Sequence, residues 1–339
     1  MTAPHAPLAL TMGEPAGIGP DLTLIAWQRR DAASLQPFYV LGDPEMLASR
    51  ARRMALDVPI VVCTPEEAMG HFASALPVVA LDNRAPDTPG EPSREAAAAV
   101  IEAIETAVAH VAEGRAGGIV TNPINKKSLY DAGFRHPGHT EFLGMLAERF
   151  WPETAHEPVM LLAGPDLMAI PITVHIPLAD VPGALTSKRI RLVARIADHE
   201  LHTRFGIDRP RLALAGLNPH AGENGSMGRE ERTILEPAIA ELREEGIDIV
   251  GPLPADTMFH PRARAQYDCA LACYHDQALI PVKTLAFDES VNVTLGLPFV
   301  RTSPDHGTAF DIAASGKARP DSLIAALRLA ARLSARGAG

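Results

Sequence analysis

The chain reads as a doubly wound α/β protein, and three observations predict it. Short apolar runs recur through its 339 residues, separated by stretches with helical spacing. Its 30 prolines and 26 glycines cluster at the ends of those segments, so they punctuate elements and do not form a linker. A length of 339 residues allows about two domains, and 47% hydrophobic with 21% charged residues is enough to build their cores.

The elements follow in order. Leu8–Met12 is a first buried strand, and Gly13-Glu14-Pro15-Ala16-Gly17-Ile18-Gly19-Pro20-Asp21 a glycine loop opening a helix, with Pro20 suited to its first turn. That loop either approaches a ligand closely or only makes a tight turn; it is not GxGxxG. Strands are expected at 38–41, 59–62 and 77–81, with a helix from Pro44 to about Met54. Ser93 caps a long helix whose apolar face carries Val100, Ile101, Ile104, Val108 and Val111, and Gly114 ends it. Gly118–Thr121 is a strand with Asn122–Lys127 at its carboxyl end. Residues 158–162 and 167–174 flank Gly164-Pro165-Asp166 as an antiparallel hairpin. A second series follows: helix 187–205, strand 211–215, helix 229–245 and strand 247–250. Strands are then expected near 282–286 and 291–295. Two helices close the chain, one after Gly307 and one from Asp321 to about Ala335.

Charge and cysteine content narrow the function. A formal net charge of −10 argues against nucleic acid or an acidic membrane as partner, though not against an anionic small molecule. No run approaches the roughly 18 apolar residues of a membrane helix. The start Met1–His5 shows no signal-peptide pattern, so a cytoplasmic enzyme is expected. Cys63, Cys269 and Cys273 make neither a disulfide framework nor a zinc ribbon; the last two read as buried thiols.

Among 13 histidines, position separates candidates from bystanders. His110, His199 and His202 fall inside helices, and a solvated face explains the last two better than a shared metal. His175 ends one apolar run, His220 follows another by way of Leu217-Asn218-Pro219, and His275 ends Ala270-Leu271-Ala272-Cys273-Tyr274. Ligands bind past the carboxyl ends of strands in such folds. If these strands share a sheet, three imidazoles can meet around a divalent metal acting as a Lewis acid. Three unrelated loop histidines remain the competing reading. Gly138-His139-Thr140-Glu141-Phe142 opens a helix, where Thr140 is an N-cap or the free amides hold an anion. Lys283, Asn292 and Arg301 lie in otherwise apolar segments, and a buried arginine needs an anionic partner, internal or substrate. Asp311 follows His306-Gly307 in a turn leading into a helix; it serves the helix dipole or accepts bonds from a ribose diol.

At these residues the chain resembles the 4-hydroxythreonine-4-phosphate dehydrogenase (PdxA) family, nearly end to end. The stretches that carry the resemblance are Gly13–Asp21, Gly138–Phe142, Gly216–Glu223, Gly251–Thr257, Tyr274–Gln277 and Val291–Pro298. It implies a two-domain, three-layer α/β/α fold similar to isocitrate and isopropylmalate dehydrogenases, with the active site in the interdomain cleft. The first domain would be 1–135 plus 302–339, and the second, 136–301, would carry the metal ligands and dimer contacts.

The resemblance also implies a divalent metal, zinc foremost and magnesium or cobalt as alternatives, on His175, His220 and His275. Substrate contacts would come from His139, Thr140, Lys283, Asn292 and Arg301. NAD or NADP would lie at His306, Gly307 and Asp311, and the protein would be a homodimer with its site near the interface. The implied reaction oxidises the phosphorylated amino acid 4-phosphooxy-L-threonine to 2-amino-3-oxo-4-phosphooxybutanoate. That β-keto acid loses carbon dioxide to give 3-amino-2-oxopropyl phosphate in pyridoxal 5'-phosphate biosynthesis. Asp256 and Lys283 are candidates for the proton acceptor. Ala278 departs from a glycine frequent in the family and is expected to alter loop flexibility slightly. The alternatives are a paralogue oxidising phosphorylated four-carbon sugar acids or dihydrodiol carboxylates, a zinc hydrolase, and a silent ligand-binding module.

Overall fold

The computed structural model describes residues 6–136, 138–154 and 156–336. The opening Met1–His5, read above for a leader, and Pro137, ahead of the Gly138 motif, lie outside them.

The strands are β1 (Leu8–Thr11), β2 (Phe38–Gly42), β3 (Ile60–Val62), β4 (Leu76–Ala80), β5 (Ile119–Thr121), β6 (Val159–Ala163), β7 (Met168–Pro171), β8 (Arg211–Ala215), β9 (Asp248–Leu253), β10 (Cys269–Ala272), β11 (Val291–Leu295) and β12 (Arg301–Pro304). The helices are α1 (Gly19–Gln28), α2 (Pro44–Arg53), α3 (Pro65–His71), α4 (Ala97–Ala112), α5 (Lys126–Asp131), α6 (His139–Phe150), α7 (Val181–Ala184), α8 (Ser187–Thr203), α9 (Glu236–Glu244), α10 (Pro261–Arg264), α11 (His275–Ala286) and α12 (Asp321–Ser334).

Two compact units result. One comprises the described residues up to Pro158 with those from Leu297 onward, the other Val159–Gly296. The expected boundary at 135/136 therefore moves, and 136–158 belongs with the first unit. The reason is packing: α6 lies against α4 of that unit, and Phe142, Leu143, Leu146 and Ala147 bury its inner face.

In the first unit the strands run in the order β3-β4-β2-β1-β5-β12, all parallel. Order reverses between β1 and β5, so the carboxyl ends there open a crevice where ligands bind in open α/β sheets. Three segments leave that edge: the glycine loop after β1, Asn122–Lys126 after β5, and residues 305–314 after β12. β12 was not expected, because its sequence Arg-Thr-Ser-Pro carries no apolar alternation. Its strand state comes from pairing with the buried β5.

In the second unit the order is β11-β6-β7-β10-β8-β9. β6 pairs antiparallel with β11 and β7, giving the expected hairpin, while β7, β10, β8 and β9 are parallel. Cys269 and Cys273 are buried free thiols, as expected, and Cys63 is half-buried.

Two expectations fail here. Residues 282–286 are not a strand but the end of α11, which runs on through Pro281. Ala278, Leu279 and Val282 have helical spacing and bury against Leu162, Ala169 and Ala270, burial worth roughly 1.5–3 kcal/mol for a large aliphatic side chain. That packing outweighs the interior proline. Ala278 accordingly sits in a helix and not a loop, where alanine is the better residue than glycine. The helix expected after Gly307 is also absent; only the 3-10 turn Phe310–Ile312 forms, entered through Ala309 at φ 43°.

Candidate functional site

Parallel pairing of β7 with β10 and of β10 with β8 sets three carboxyl ends side by side. His175 follows β7, which stops at Pro171 and not at the expected Val174, so a short loop carries the histidine. His275 is the first residue of α11, and His220 lies in the loop after β8. The His175 and His275 ring centroids are 5.6 Å apart. Nδ1 of His275 lies 2.7 Å from Asp276 Oδ1, which holds the ring and leaves Nε2 for a ligand. Together the two histidines line a hollow of about 230 Å3 with Thr173, Val181 and Tyr274.

His220 is exposed and opens a run of left-handed backbone. His220, Ala221, Gly222, Glu223 and Asn224 have φ of 53°, 51°, 76°, 40° and 57°, each non-glycine residue costing of order 1–3 kcal/mol. Among the described residues, no three His, Cys, Asp or Glu side chains gather closely enough to hold a metal. The structure thus pairs His175 with His275 and leaves His220 apart on the neighbouring strand's loop. By donor chemistry the set fits a divalent ion: paired imidazoles, one held by a carboxylate, and a third on the adjacent strand end.

Lys283 lies on α11 and not on a following strand, eight residues from His275, and lines a hollow of about 450 Å3 with it, Asp276 and Thr284. Asp256 is exposed on the loop after β9 and lines a separate hollow of similar size with Phe259, Tyr274 and Gln277. Asn292 is half-buried on β11, opposite Leu162.

In the first unit, α6 begins at His139 behind the N-cap Gly138, with no side-chain cap, so Thr140 is not the capping residue. His139 Nε2 is buried without a hydrogen-bond partner. Loss of solvent around the ring, then the positive charges of Arg301 and Lys126, hold His139 well below the usual histidine range. Arg301 on β12 is 4% exposed, and its guanidinium donates to Thr121 Oγ1 from Nε at 3.2 Å and Nη2 at 2.6 Å. Burial pushes Arg301 down to about 10. A neutral histidine and two cations therefore share one region, an arrangement suited to an anion. Lys126 was missed as a site residue. Its position just past the carboxyl end of β5 is the signal that singled out the histidines, and it applies equally here.

The 305–314 loop abuts the glycine loop. Ile18 N donates to Thr308 O at 2.9 Å, and a Cβ on Gly17 would lie 2.7 Å from that oxygen, so only glycine fits. Gly13, at φ 70°, meets Asn122 equally closely. These glycines serve backbone packing, the plainer of the two readings. His306 Nδ1 lies 3.0 Å from Gly307 O while its Nε2 is buried without a partner. Gly307 has open space about it, and the Asp311 carboxylate is exposed. An orphaned ring nitrogen, open backbone and a free acid fit a nucleotide. Asp311 has no α-helix to serve as dipole partner, since its turn is three residues long.

The family model described as "Pyridoxal phosphate biosynthetic protein PdxA" matches residues 33–330. The chain belongs to the PdxA family. A relative in Bradyrhizobium diazoefficiens, named 4-hydroxythreonine-4-phosphate dehydrogenase, is 56% identical over 98% of this chain and 99% of its own. The crystal structure of 4-hydroxythreonine-4-phosphate dehydrogenase from Klebsiella pneumoniae is 38% identical, with a TM-score of 0.84 over 97% of this chain and 99% of that one. A terephthalate 1,2-cis-dihydrodiol dehydrogenase from Burkholderia xenovorans is 28% identical, TM-score 0.64, over 96% and 98%. As a PdxA-family chain it has the mixed α/β fold its sequence predicts. Its three histidines follow neighbouring parallel strands.

Proposed function

We propose that this chain is a 4-hydroxythreonine-4-phosphate dehydrogenase, oxidising the substrate's secondary alcohol in pyridoxal phosphate biosynthesis. What carries the choice of substrate is full-length identity of 56% to a relative of that name against 28% to the dihydrodiol dehydrogenase. A divalent metal, zinc first and magnesium or cobalt as alternatives, would be held by His175, His220 and His275. Bound there, it would supply Lewis acidity that makes the hydroxyl easier to deprotonate. NAD or NADP at His306, Gly307 and Asp311 would supply the hydride acceptor.

The chain's own groups do the rest. Arg301 and Lys126 offset the phosphate's charge, and the neutral His139 donates or accepts one hydrogen bond without adding a third cation. Thr140 and its free helix-start amides take a further oxygen. Asn292 orients the amino-acid end. Lys283 is assigned the hydroxyl proton ahead of Asp256, because it shares a hollow with His275. The oxidised product is a β-keto acid, whose carboxylate leaves as carbon dioxide while the ketone takes up the electron pair. We assign the protein to the cytoplasm as a homodimer with its site near the interface. The exposed Ile280 (63%) and Leu285 on α11, with Phe287 (70%) just past its end, support the dimer.

Steady-state NADH formation with 4-phosphooxy-L-threonine and with 4-phosphoerythronate tests the reading. A clear preference for the first is expected; preference for the second assigns the chain to a paralogous activity. Ester or amide cleavage without NADH would instead make it a hydrolase.

A further inference from the structure

Two buried polar side chains tie together the strand ends that lead to His175, His220 and His275, a third holds the His220 loop, and none has a role in the reaction proposed above. Thr173 Oγ1 donates to Cys273 O at 2.7 Å, crossing from the loop after β7 to the end of β10. Gln277 spans the next gap. Its Oε1 accepts from Cys273 N at 2.7 Å, and its Nε2 donates to Gly216 O at 2.8 Å, so one amide grips the ends of both β10 and β8. Glu231 then takes hold of the His220 loop: Oε1 accepts from Asn218 N at 2.7 Å and Oε2 from Asn218 Nδ2 at 3.0 Å.

These contacts differ from ordinary loop caps. The Thr173 and Gln277 bonds run between different strand ends, and all three side chains are buried. The Glu231 carboxylate also fills the inside of the left-handed run, since a Cβ on Gly222 would come 2.5 Å from Oε2. Glu231 begins the wide π-helical turn Glu231–Leu235, a distortion that recurs at functional sites. Four non-glycine residues persist in left-handed backbone only where the surroundings over-determine them. The bridge supplies that constraint on the loop bearing His220.

We propose that Thr173, Gln277 and Glu231 are positioning residues that fix the backbone of the three histidine-bearing segments, on which metal affinity depends. This rests on the reading of His175, His220 and His275 as the metal set. Groups that orient metal ligands typically change affinity by about ten- to hundredfold when removed.

The test titrates the metal-free full-length protein with Co2+ against a chromophoric chelator and records thermal unfolding of the same samples. Gln277→Met and Glu231→Gln are expected to lower Co2+ affinity about tenfold or more. Thr173→Val should do the same, and Thr173→Ser, which keeps the hydroxyl, should restore it. That pair keeps the test sharp if a Gln277 or Glu231 variant folds poorly. Affinities within about twofold of the parent, with or without a lower melting temperature, overturn the proposal. His220→Ala separates the two levels: if it loses Co2+ while the bridge variants keep it, only the bridge fails. If His220→Ala binds Co2+ like the parent, the metal reading fails and the bridge with it.

Discussion

His139 keeps a neutral ring because burial, Arg301 and Lys126 all oppose its protonation. Its folded pKa is therefore below the unfolded value of about 6.5. The stability it contributes is fully present above that pH and is lost as pH falls and the unfolded chain takes up the proton first. The parent should lose up to about 1.4 kcal/mol per pH unit from this group below pH 6.5, and His139→Gln should lack that component. Denaturant titrations of both proteins from pH 7 to about 5 check it. Arg301, though pushed down to about 10, stays charged at neutral pH. Arg301→Ala should raise the KM for the phosphorylated substrate at least about tenfold, the 1.4 kcal/mol equivalent of one charge-assisted hydrogen bond, and leave that for NAD unchanged. Equal changes in both constants would remove it from the phosphate. Arg301 was legible in the sequence because it stands out in an apolar segment, and His139 because it opens a helix, whereas Lys126 was missed. Their mutual proximity was not legible, since it depends on β12 pairing with β5.

Between elements, Arg50 of α2 is the central tie of the first unit. It is 0% exposed, pairs with Asp21 and Asp87, and donates to the carbonyls of Pro15 and Gly17. Asp21 in turn accepts from Ala314 N at 2.7 Å, so the glycine loop and the 305–314 loop hang from one guanidinium. Arg50→Ala would strand two carboxylates in the interior and should cost about 3–5 kcal/mol in chemical denaturation. A cost below 1 kcal/mol would show that water reaches them. Strands of β-branched and aliphatic runs such as β2 and β8 were readable because they are buried on both faces. α11 was misread because Pro281 interrupts its apolar run, and local sequence does not show that Ala278, Leu279 and Val282 share a packed face. The turn at Phe310 was read as a helix for the opposite reason: its composition is helical, but Ala309 enters it left-handed.

For the whole molecule, two α/β series were evident from alternation, while their limits depended on α6 packing against α4, which no local signal records. No helix among the described residues is long and apolar enough to cross a membrane. The apolar side chains exposed on α11 and at Phe287 just past its end are the surface expected to be covered by a second copy. Ile280→Asp with Phe287→Asp should halve the mass measured by light scattering at micromolar concentration; a mass unchanged from the parent would place the interface elsewhere.

The cysteines also give the chain an internal clock. Cys269 and Cys273 are sealed in the second unit, whereas Cys63 is half-exposed in the first. A thiol reagent should label Cys63 from the native state and the other two only as fast as their sheet opens. Mass spectrometry would then time the breathing of the histidine-bearing unit with no added probe. A divalent ion that binds only the closed form should slow that pair and leave Cys63 unaffected.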